Sequence, residues 1–586
     1  MTSIELYTKQ ERRINGVFYT PKFLAKYLAK KVIHYFGETK RINTTIDPAC
    51  GDSILLRSLA DELLNCNKVK HFPKIFGIDK DINAIVSSTA KFADKPLSRF
   101  ATRFVRTDGL FPVAGKNSNE GWLNLRTKLK NKNGFDIALS NPPWGAELNG
   151  YDSPTLNFNF SLAKGQYDIF DLFVEVILSN LNLNGIYGLI LPDSVFSQEQ
   201  ARFRCLLSRS TTIHLIARLG EKLFPEINRA CVIIVGRKVK PKDSDLVDCF
   251  RLSSNYKKQI ISNELSLEEI EKELSHRVPQ NRFTKNANYV FDIDLRIDEE
   301  KTFEKIQANS LSVKTFVKNT RGAEISKKGI VCQCPKCKHW MPYPKSKQPK
   351  CTNCNTLISI DSVTIENIIS NHNGAGNLRL KVGEDLFRFT SFSKRWINTL
   401  KEGINYKNLR IYNGDKILVR KTGVGITASL DYENAITNQV VYILKLEREF
   451  QNKLTLEFVL AILNSRAMTY YLIKKFGENE WKSHPYLTQS MLVNLPFPKI
   501  DFNSSDVKKL INRVTKLIRK EVAHSTENNI SKTNDLFIER VVAHLFNLNR
   551  NDYKAIFKTL SSSEQLIPIK RLLNCNTNEI FKINGI

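Results

Sequence analysis

Residues 135–144 read Phe-Asp-Ile-Ala-Leu-Ser-Asn-Pro-Pro-Trp, an apolar run closed by Asn141, two prolines and Trp144. A short apolar run of this kind predicts a buried strand over 135–140. Consecutive prolines offer no amide hydrogen and fix φ, so the ladder stops at Asn141 and the chain leaves as a rigid extended corner. Upstream, strand-like runs at 42–47, 74–79 and 102–108 alternate with helical spacing at 54–64, 82–92 and 122–129. Downstream come an amphipathic helix over 169–183 and strands at 185–191, 213–219 and 231–235. Such alternation predicts an α/β fold, a mostly parallel sheet with helices on both faces. The first four strands end at Asp47, Asp79, Asp108 and Asn141, at intervals of 32, 29 and 33 residues. A βα repeat is about 30 residues long, so these side chains should stand together at the carboxyl edge of one sheet, where open α/β sheets bind ligands. An isolated Asp at a strand end is commonly a turn or cap residue; four in phase point to a site.

The loop Asp47-Pro-Ala-Cys-Gly-Asp-Ser53 matches neither a phosphate-binding P-loop nor the G-x-G-x-x-G of dinucleotide enzymes. Gly51 allows close backbone approach to a ligand, and an acid ending the second strand, Asp79, suits the ribose hydroxyls of a nucleoside cofactor. At Asn141-Pro142 an exocyclic amino group can donate one hydrogen to the Asn141 side-chain oxygen and one to the Pro142 carbonyl. That aims the nitrogen lone pair at an electrophile. Trp144 offers a flat face for a base taken out of its stack.

These motifs resemble a gamma-class, TaqI-like N6-adenine DNA methyltransferase that uses S-adenosylmethionine, motif by motif from about residue 16 to 238 and more loosely beyond. Gly16-Val-Phe-Tyr-Thr-Pro21 resembles the family's amino-terminal cofactor motif, and Gln166-Tyr-Asp-Ile-Phe170 and Leu191-Pro-Asp193 are similar to further landmarks. The resemblance implies a Rossmann-like methyltransferase sheet. It implies that Tyr19 and Thr20 contact the methionine part of the cofactor, with Asp47 near its amino group, Asp79 at its ribose and Asp108 at its adenine amino group, and it counts Ala49, Gly51 and Asn141 among the cofactor-binding residues. Asn141, Pro142, Pro143 and Trp144 would be catalytic, and Phe224 of Leu223-Phe-Pro225 would stack on the other face of the target adenine. The chain departs from the family at Ser53, where a further Gly is usual, and at Trp144, where Tyr or Phe is usual. Ser53 is expected to crowd the cofactor, whereas Trp144 keeps the stacking face. The expected chemistry is in-line attack by adenine N6 on the cofactor methyl, with no metal in the reaction and no covalent intermediate.

Composition agrees. The 586 residues carry 88 Lys and Arg against 59 Asp and Glu, a formal charge of +29, which favours a polyanionic partner. No run of about 18 apolar residues occurs, and the amino terminus lacks a signal-peptide core, which predicts a cytoplasmic protein without a membrane partner. The cysteines cluster only once: Cys334-x-x-Cys337 and, after 13 intervening residues, Cys351-x-x-Cys354. Two such knuckles predict a structural zinc ribbon over 331–356, with Cys332 and His339 as lesser candidates. Lys336, Lys338, Lys345, Lys347 and Lys350 beside Trp340 and Tyr343 suit phosphate contact. Cys50, Cys66, Cys205, Cys231, Cys249 and Cys575 read as core or incidental thiols, and none of the nine histidines falls in a catalytic spacing.

The expected organisation is a catalytic domain over 1–245, a connector over 246–300, a β-rich α+β DNA specificity domain over 301–500 with the zinc ribbon inside it, and a helical carboxyl-terminal segment over 501–586. Strands are expected at 416–420, 426–430 and 439–444 and a helix at 458–465. The resemblance implies double-stranded DNA as partner and a restriction–modification or related defence setting. It leaves room for a separate restriction endonuclease, and no nuclease-sized segment precedes Gly16. Methylation of an RNA base or of a protein glutamine, and a catalytically inactive DNA-binding subunit, remain as alternatives; the basic β-rich region 301–500 argues against the first two.

Overall fold

The computed structural model describes residues 20–37, 41–65, 71–145, 148, 150–224, 229–344, 349–359, 363–374, 376–477, 486–524, 530–561 and 576–583. The chain divides into two compact units, residues 1–297 and 298–586.

The first unit is built on a nine-stranded sheet: β1 (Thr44–Asp47), β2 (Lys74–Asp79), β3 (Thr102–Arg106), β4 (Phe135–Ser140), β5 (Leu181–Pro192), β6 (Thr212–Gly220), β7 (Cys231–Arg237), β8 (Leu246–Arg251) and β9 (His276–Pro279). Their order is β3-β2-β1-β4-β5-β7-β6-β8-β9. The run β3-β2-β1-β4-β5 is parallel throughout, and β7 lies antiparallel between β5 and β6. Six successive residues of β7 are buried, as are Ile75 to Ile78 of β2. Burial at every position of a strand requires cover on both faces. The helix Lys22–Phe36 supplies part of that cover. It packs on β5, where a Cβ on Gly188 would fall 2.6 Å from Val32 Cγ2 and 2.9 Å from Leu28 Cδ1. Only glycine lets helix and strand approach so closely.

Of residues 246–300, expected as a connector, 246–297 belong instead to this unit. β8 pairs parallel with β6, and β9 pairs antiparallel with β8, so they extend the sheet. The charged stretch that suggested a linker is the helix Leu267–Leu274, started by a capping box between Ser266 and Glu269. Its polar residues are one face of an amphipathic helix whose Leu267 and Ile270 are buried.

The second unit joins a β-rich body to a group of helices. Strands Val317–Arg321, Val441–Leu446, Lys416–Arg420 and Ala428–Asp431 form one antiparallel sheet in that order. A second sheet contains Asn377–Lys381 and Trp396–Asn398. The helix Leu456–Leu463 (LEFVLAIL) is apolar nearly all round and buried at every position, as such a helix must be.

A buried ion network pins the carboxyl-terminal helices to this body. Arg388 Nη2 lies 2.6 Å from Asp535 Oδ1, and Arg466 Nη1 lies 2.9 Å from Glu539 Oε1 and 3.3 Å from Asp535 Oδ1. The Tyr553 hydroxyl donates to Glu539 Oε2 at 3.0 Å. Burial alone would raise the Asp535 pKa, but the two arginines outweigh it and hold the carboxyl well below the usual range. Its stabilising contribution is therefore full at neutral pH and is lost as pH falls below about 4.

Removing one member of a buried ion group strands the others. Arg466→Met should cost about 3–5 kcal/mol in urea unfolding at neutral pH. A loss under about 1 kcal/mol, the value of a surface pair, would show that the network is solvent-screened.

Candidate active site and metal centre

Strand order reverses at β1, whose neighbours β2 and β4 run on either side of it, and a crevice at such a switch point is the usual ligand site of an open α/β sheet. Asp47 ends β1 and is fully buried. Its Oδ1 accepts from the Ala49 amide at 3.0 Å and from the Ser140 hydroxyl at 2.9 Å. Burial pushes the carboxyl up to about 7, against the pull of those two bonds. Asp79 ends β2 and closes the first loop onto it: Gly51 N donates to one carboxylate oxygen at 2.8 Å and Asp81 N to the other at 2.9 Å. Burial raises its pKa too.

Ser53 closes that loop at φ +61°, in the left-handed region where a non-glycine residue is strained by about 1–2 kcal/mol. Its hydroxyl donates to the Asp52 carbonyl at 2.8 Å, and the residue is wholly buried. The strain explains why a glycine is expected there. The hydroxyl is turned onto the carbonyl of the preceding residue.

β3 stops at Arg106, two residues short of the predicted end, and Asp108 lies in the turn beyond it. Its Oδ1 accepts from Leu110 N at 2.8 Å, and its Oδ2 from the Tyr151 hydroxyl at 2.8 Å and from Lys80 Nζ at 3.1 Å. Lys80 also sits over the Tyr151 ring, 4.3 Å from its centroid. Tyr151 and Lys80 were not foreseen. A lysine after a strand-end acid and a tyrosine in a loop carry no spacing signal.

At the end of β4, Asn141 Nδ2 donates to Thr20 Oγ1 at 2.9 Å. The bond fixes which way the carboxamide faces, with Oδ1 on its other side. Asn141 and Pro143 are partly exposed and Pro142 is buried. The structure thus brings together Thr20, Asp47, Ala49, Gly51, Asp79 and Asn141 around the switch point. Tyr19 and the rest of the 16–19 motif, with Pro225, Lys345, Lys347, Cys66 and Cys575, lie outside the described residues.

The aromatic pair differs from expectation. Trp144 is only 1% exposed, and its ring meets that of Phe224 edge to face, centroids 5.3 Å apart at 78°. The two rings contact each other instead of offering parallel open faces. Edge-to-face contact satisfies the ring quadrupoles and buries both side chains. Past the corner, Arg229 Nη1 donates to the Trp144 carbonyl at 2.8 Å and Gly145 N donates to Asp168. Of these two, only Asp168 stood in a motif visible from sequence.

In the second unit, Cys334, Cys337, Cys351 and Cys354 have Sγ atoms all within 4.8 Å of one another. Cys334 and Cys354 are 3.7 Å apart, and Cys337 and Cys351 3.6 Å. A tetrahedron with arms of about 2.3 Å has edges of about 3.8 Å, so the donor set fits zinc. The two knuckles share a fold. Cys334 N donates to His339 O and Cys351 N to Thr356 O, both at 2.9 Å, while Lys338 and Asn355 occupy the left-handed region at φ +57° and +55°. Cys332 and His339 are not in the set, and the His339 ring sits where a Cβ on Gly403 would be, 2.6 Å from its Cε1.

Comparison with known proteins identifies a family and a shared fold. The family described as N-6 DNA Methylase matches residues 2–295, and the TaqI-like C-terminal specificity domain matches residues 379–497. The Type II methyltransferase M.VspI of Vibrio sp. (strain 343) is 25% identical over 261 residues, 44% of this chain; the chain spans about half that relative's length, 55%. Two solved structures share the fold. The Type IIL restriction–modification enzyme MmeI in complex with DNA has a TM-score of 0.54 at 14% identity, over 99% of this chain and 81% of that one. The DrdV–DNA complex has a TM-score of 0.50 at 12% identity, over 88% and 58%. Among the described residues no helix is long and apolar enough to cross a membrane.

Because burial raises the Asp47 pKa, wild type should lose stability as pH rises from about 4 to about 7. Both of its hydrogen bonds fall on one oxygen, which an asparagine retains. Asp47→Asn should therefore melt several degrees above wild type near about pH 8, with the advantage vanishing near about pH 4. A pH-independent difference in thermal scans would exclude the buried carboxyl as its source.

Proposed function

The chain belongs to the N-6 DNA methylase family, and on that premise we propose that it transfers a methyl group from S-adenosylmethionine to N6 of adenine in double-stranded DNA, as the modification activity of a restriction–modification or related defence system. The observation that carries the reading is Asn141 at the end of β4, its amide nitrogen bound to Thr20 at 2.9 Å, beside a diproline whose first carbonyl is the second acceptor. Two oxygen acceptors hold the two N6 hydrogens of an extruded adenine and turn its lone pair toward the crevice at β1.

The acids of that crevice fit the cofactor. Asp47 suits its ammonium group, because a cation beside a buried carboxyl favours the ionised form. Asp79 suits the ribose, with Thr20, Ala49 and Gly51 as neighbours, and Asp108, Lys80 and Tyr151 mark the adenine end. S-adenosylmethionine supplies an electrophilic methyl on a sulfonium, already a good leaving group. The nitrogen lone pair forms the new N–C bond as the C–S bond breaks, and the surplus N6 proton leaves to solvent. The protein's part is orientation, worth about 7–11 kcal/mol of barrier.

Residues 301–500 would choose the DNA sequence. Arg420 and Lys421 support that assignment: Arg420 ends a strand of the main sheet of the second unit, and Lys421, the next residue, has its Nζ 5.7 Å from the ring centroid of Tyr486. The zinc ribbon at 331–356 would be a structural insert whose metal supplies folding energy to a small apolar cluster.

Expression in a host lacking adenine methylation, followed by sequencing that detects modified bases, should reveal N6-methyladenine at one motif. Asn141→Ala should keep cofactor affinity within about twofold and lose transfer by more than about 100-fold. Near-wild-type turnover by that variant, or methyl groups found only on RNA or protein, would overturn the proposal. For the ribbon, purified protein should release about one zinc per chain on chelation or thiol modification, and Cys351→Ser should carry none.

A further inference from the structure

The peptide bond between Trp144 and Gly145 is held at both of its polar atoms. Its carbonyl accepts from Arg229 Nη1 at 2.8 Å, and its N–H reaches both carboxylate oxygens of Asp168 at 2.9 Å. Asp168 is itself fixed as the N-cap of the helix Ile169–Asn180, in a capping box with Asp171. Gly145 has φ +56°, and a Cβ there would fall 2.7 Å from Arg229 Nη1. The guanidinium therefore fills the space that any larger residue would need. Arg229 lies at the β7 end of the β6–β7 connection, and Phe224 at its β6 end packs against the indole of the same Trp144.

We propose that Arg229 and Asp168 are positioning residues that clamp the Trp144–Gly145 peptide and so set the direction in which Asn141 and Pro142 present their acceptor oxygens. The catalytic consequence rests on the methyl-transfer reading above; the clamp itself does not. Prolines 142 and 143 leave the corner stiff within itself, so its remaining freedom lies at its two ends. The Ser140 end is held by the sheet and by the bond to Asp47. The other end is a glycine, the residue with the widest backbone freedom. Without a clamp there, the corner could pivot as a rigid body, and Asn141 would move with it. Arg229 and Asp168 grip opposite ends of one peptide dipole, the arrangement that best resists rotation of its plane.

Hydrogen exchange reads the clamp directly. The prolines carry no amide, so a peptide spanning residues 141–145 reports on Trp144 and Gly145. In Arg229→Gln the Gly145 amide should exchange at least about tenfold faster than in wild type. Affinity for S-adenosylmethionine should stay within about twofold, while kcat for methylating unmodified genomic DNA falls about 100-fold, as a 1 Å misplacement can cause. Arg229→Lys, which keeps one donor for the carbonyl, should recover part of the rate. Asp168→Asn, which preserves a good N-cap, should resemble Arg229→Gln. Unchanged Gly145 exchange in both Arg229→Gln and Asp168→Asn would overturn the clamp, and faster exchange with unchanged kcat would overturn its positioning role. If wild type transfers no methyl to DNA, the functional reading fails while the exchange result still decides the clamp.

Discussion

One buried hydrogen bond sets the geometry of the candidate active site: Ser140 Oγ to Asp47 Oδ1, 2.9 Å. It crosses from the last residue of β4 to the last residue of β1, the two strands that flank the switch point. Both partners are buried, where a hydrogen bond is electrostatically stronger than in water and where losing one partner would orphan the other. The same Asp47 oxygen holds the Ala49 amide, so the first loop and the acceptor corner share a single anchor. Asn141 follows Ser140 directly and gains a second tether at Thr20. Distances between the proposed methyl donor and its acceptor are thereby governed by strand pairing, the stiffest element available, instead of by a loop.

The three strand-end acids look interchangeable in the sequence and are not so in the fold. Asp79 uses both carboxylate oxygens to accept backbone amides and acts first as the keystone of the Gly51 loop. Asp108 is engaged by a tyrosine and a lysine. Only Asp47 is fully buried with a carboxyl raised to about 7. It therefore responds most to a cation brought beside it, because its ionised form is the one most in need of stabilisation.

What could be read in advance follows from the range of the forces involved. β2 and β4 were legible to the residue because apolar runs, a terminal acid and a diproline are local signals. The helix expected over 169–183 stops at Asn180, and β5 begins at Leu181. Leu181 is buried at that junction and suits either element, so hydropathy alone could not place the boundary. The phase of the strand ends located Asp47, Asp79 and Asn141. It could not tell that Trp144 would be buried against Phe224, since that depends on a ring 80 residues away. Nor could it pair Arg229 with a carbonyl 85 residues distant. The paired knuckles were legible as a sulfur cluster because four cysteines at that spacing have few other arrangements. The connector was misread because charge on one helical face resembles charge in a linker until the opposite face is seen to be buried.

The Trp144–Phe224 contact bears on how the two halves of the chain share the proposed reaction. For an adenine to reach Asn141 with Trp144 on one face and Phe224 on the other, the rings must part. An edge-to-face pair is worth about 0.5–1.5 kcal/mol beyond its burial, and unstacking the base costs a few kcal/mol more. Stacking of the base between the two rings and its two N6 hydrogen bonds would recover part of these terms, and contacts made elsewhere on the DNA would offset the rest. Binding energy from remote parts of a substrate can be used in this way, and it then appears in the rate of transfer as well as in affinity. Under the proposed function, a DNA sequence that binds tightly would hold the aromatic pair open, whereas a weakly bound one would leave the rings in contact and the acceptor corner unfilled. On that reading, discrimination between DNA sequences is exercised at Trp144 and Phe224 as well as at the residues that touch the bases.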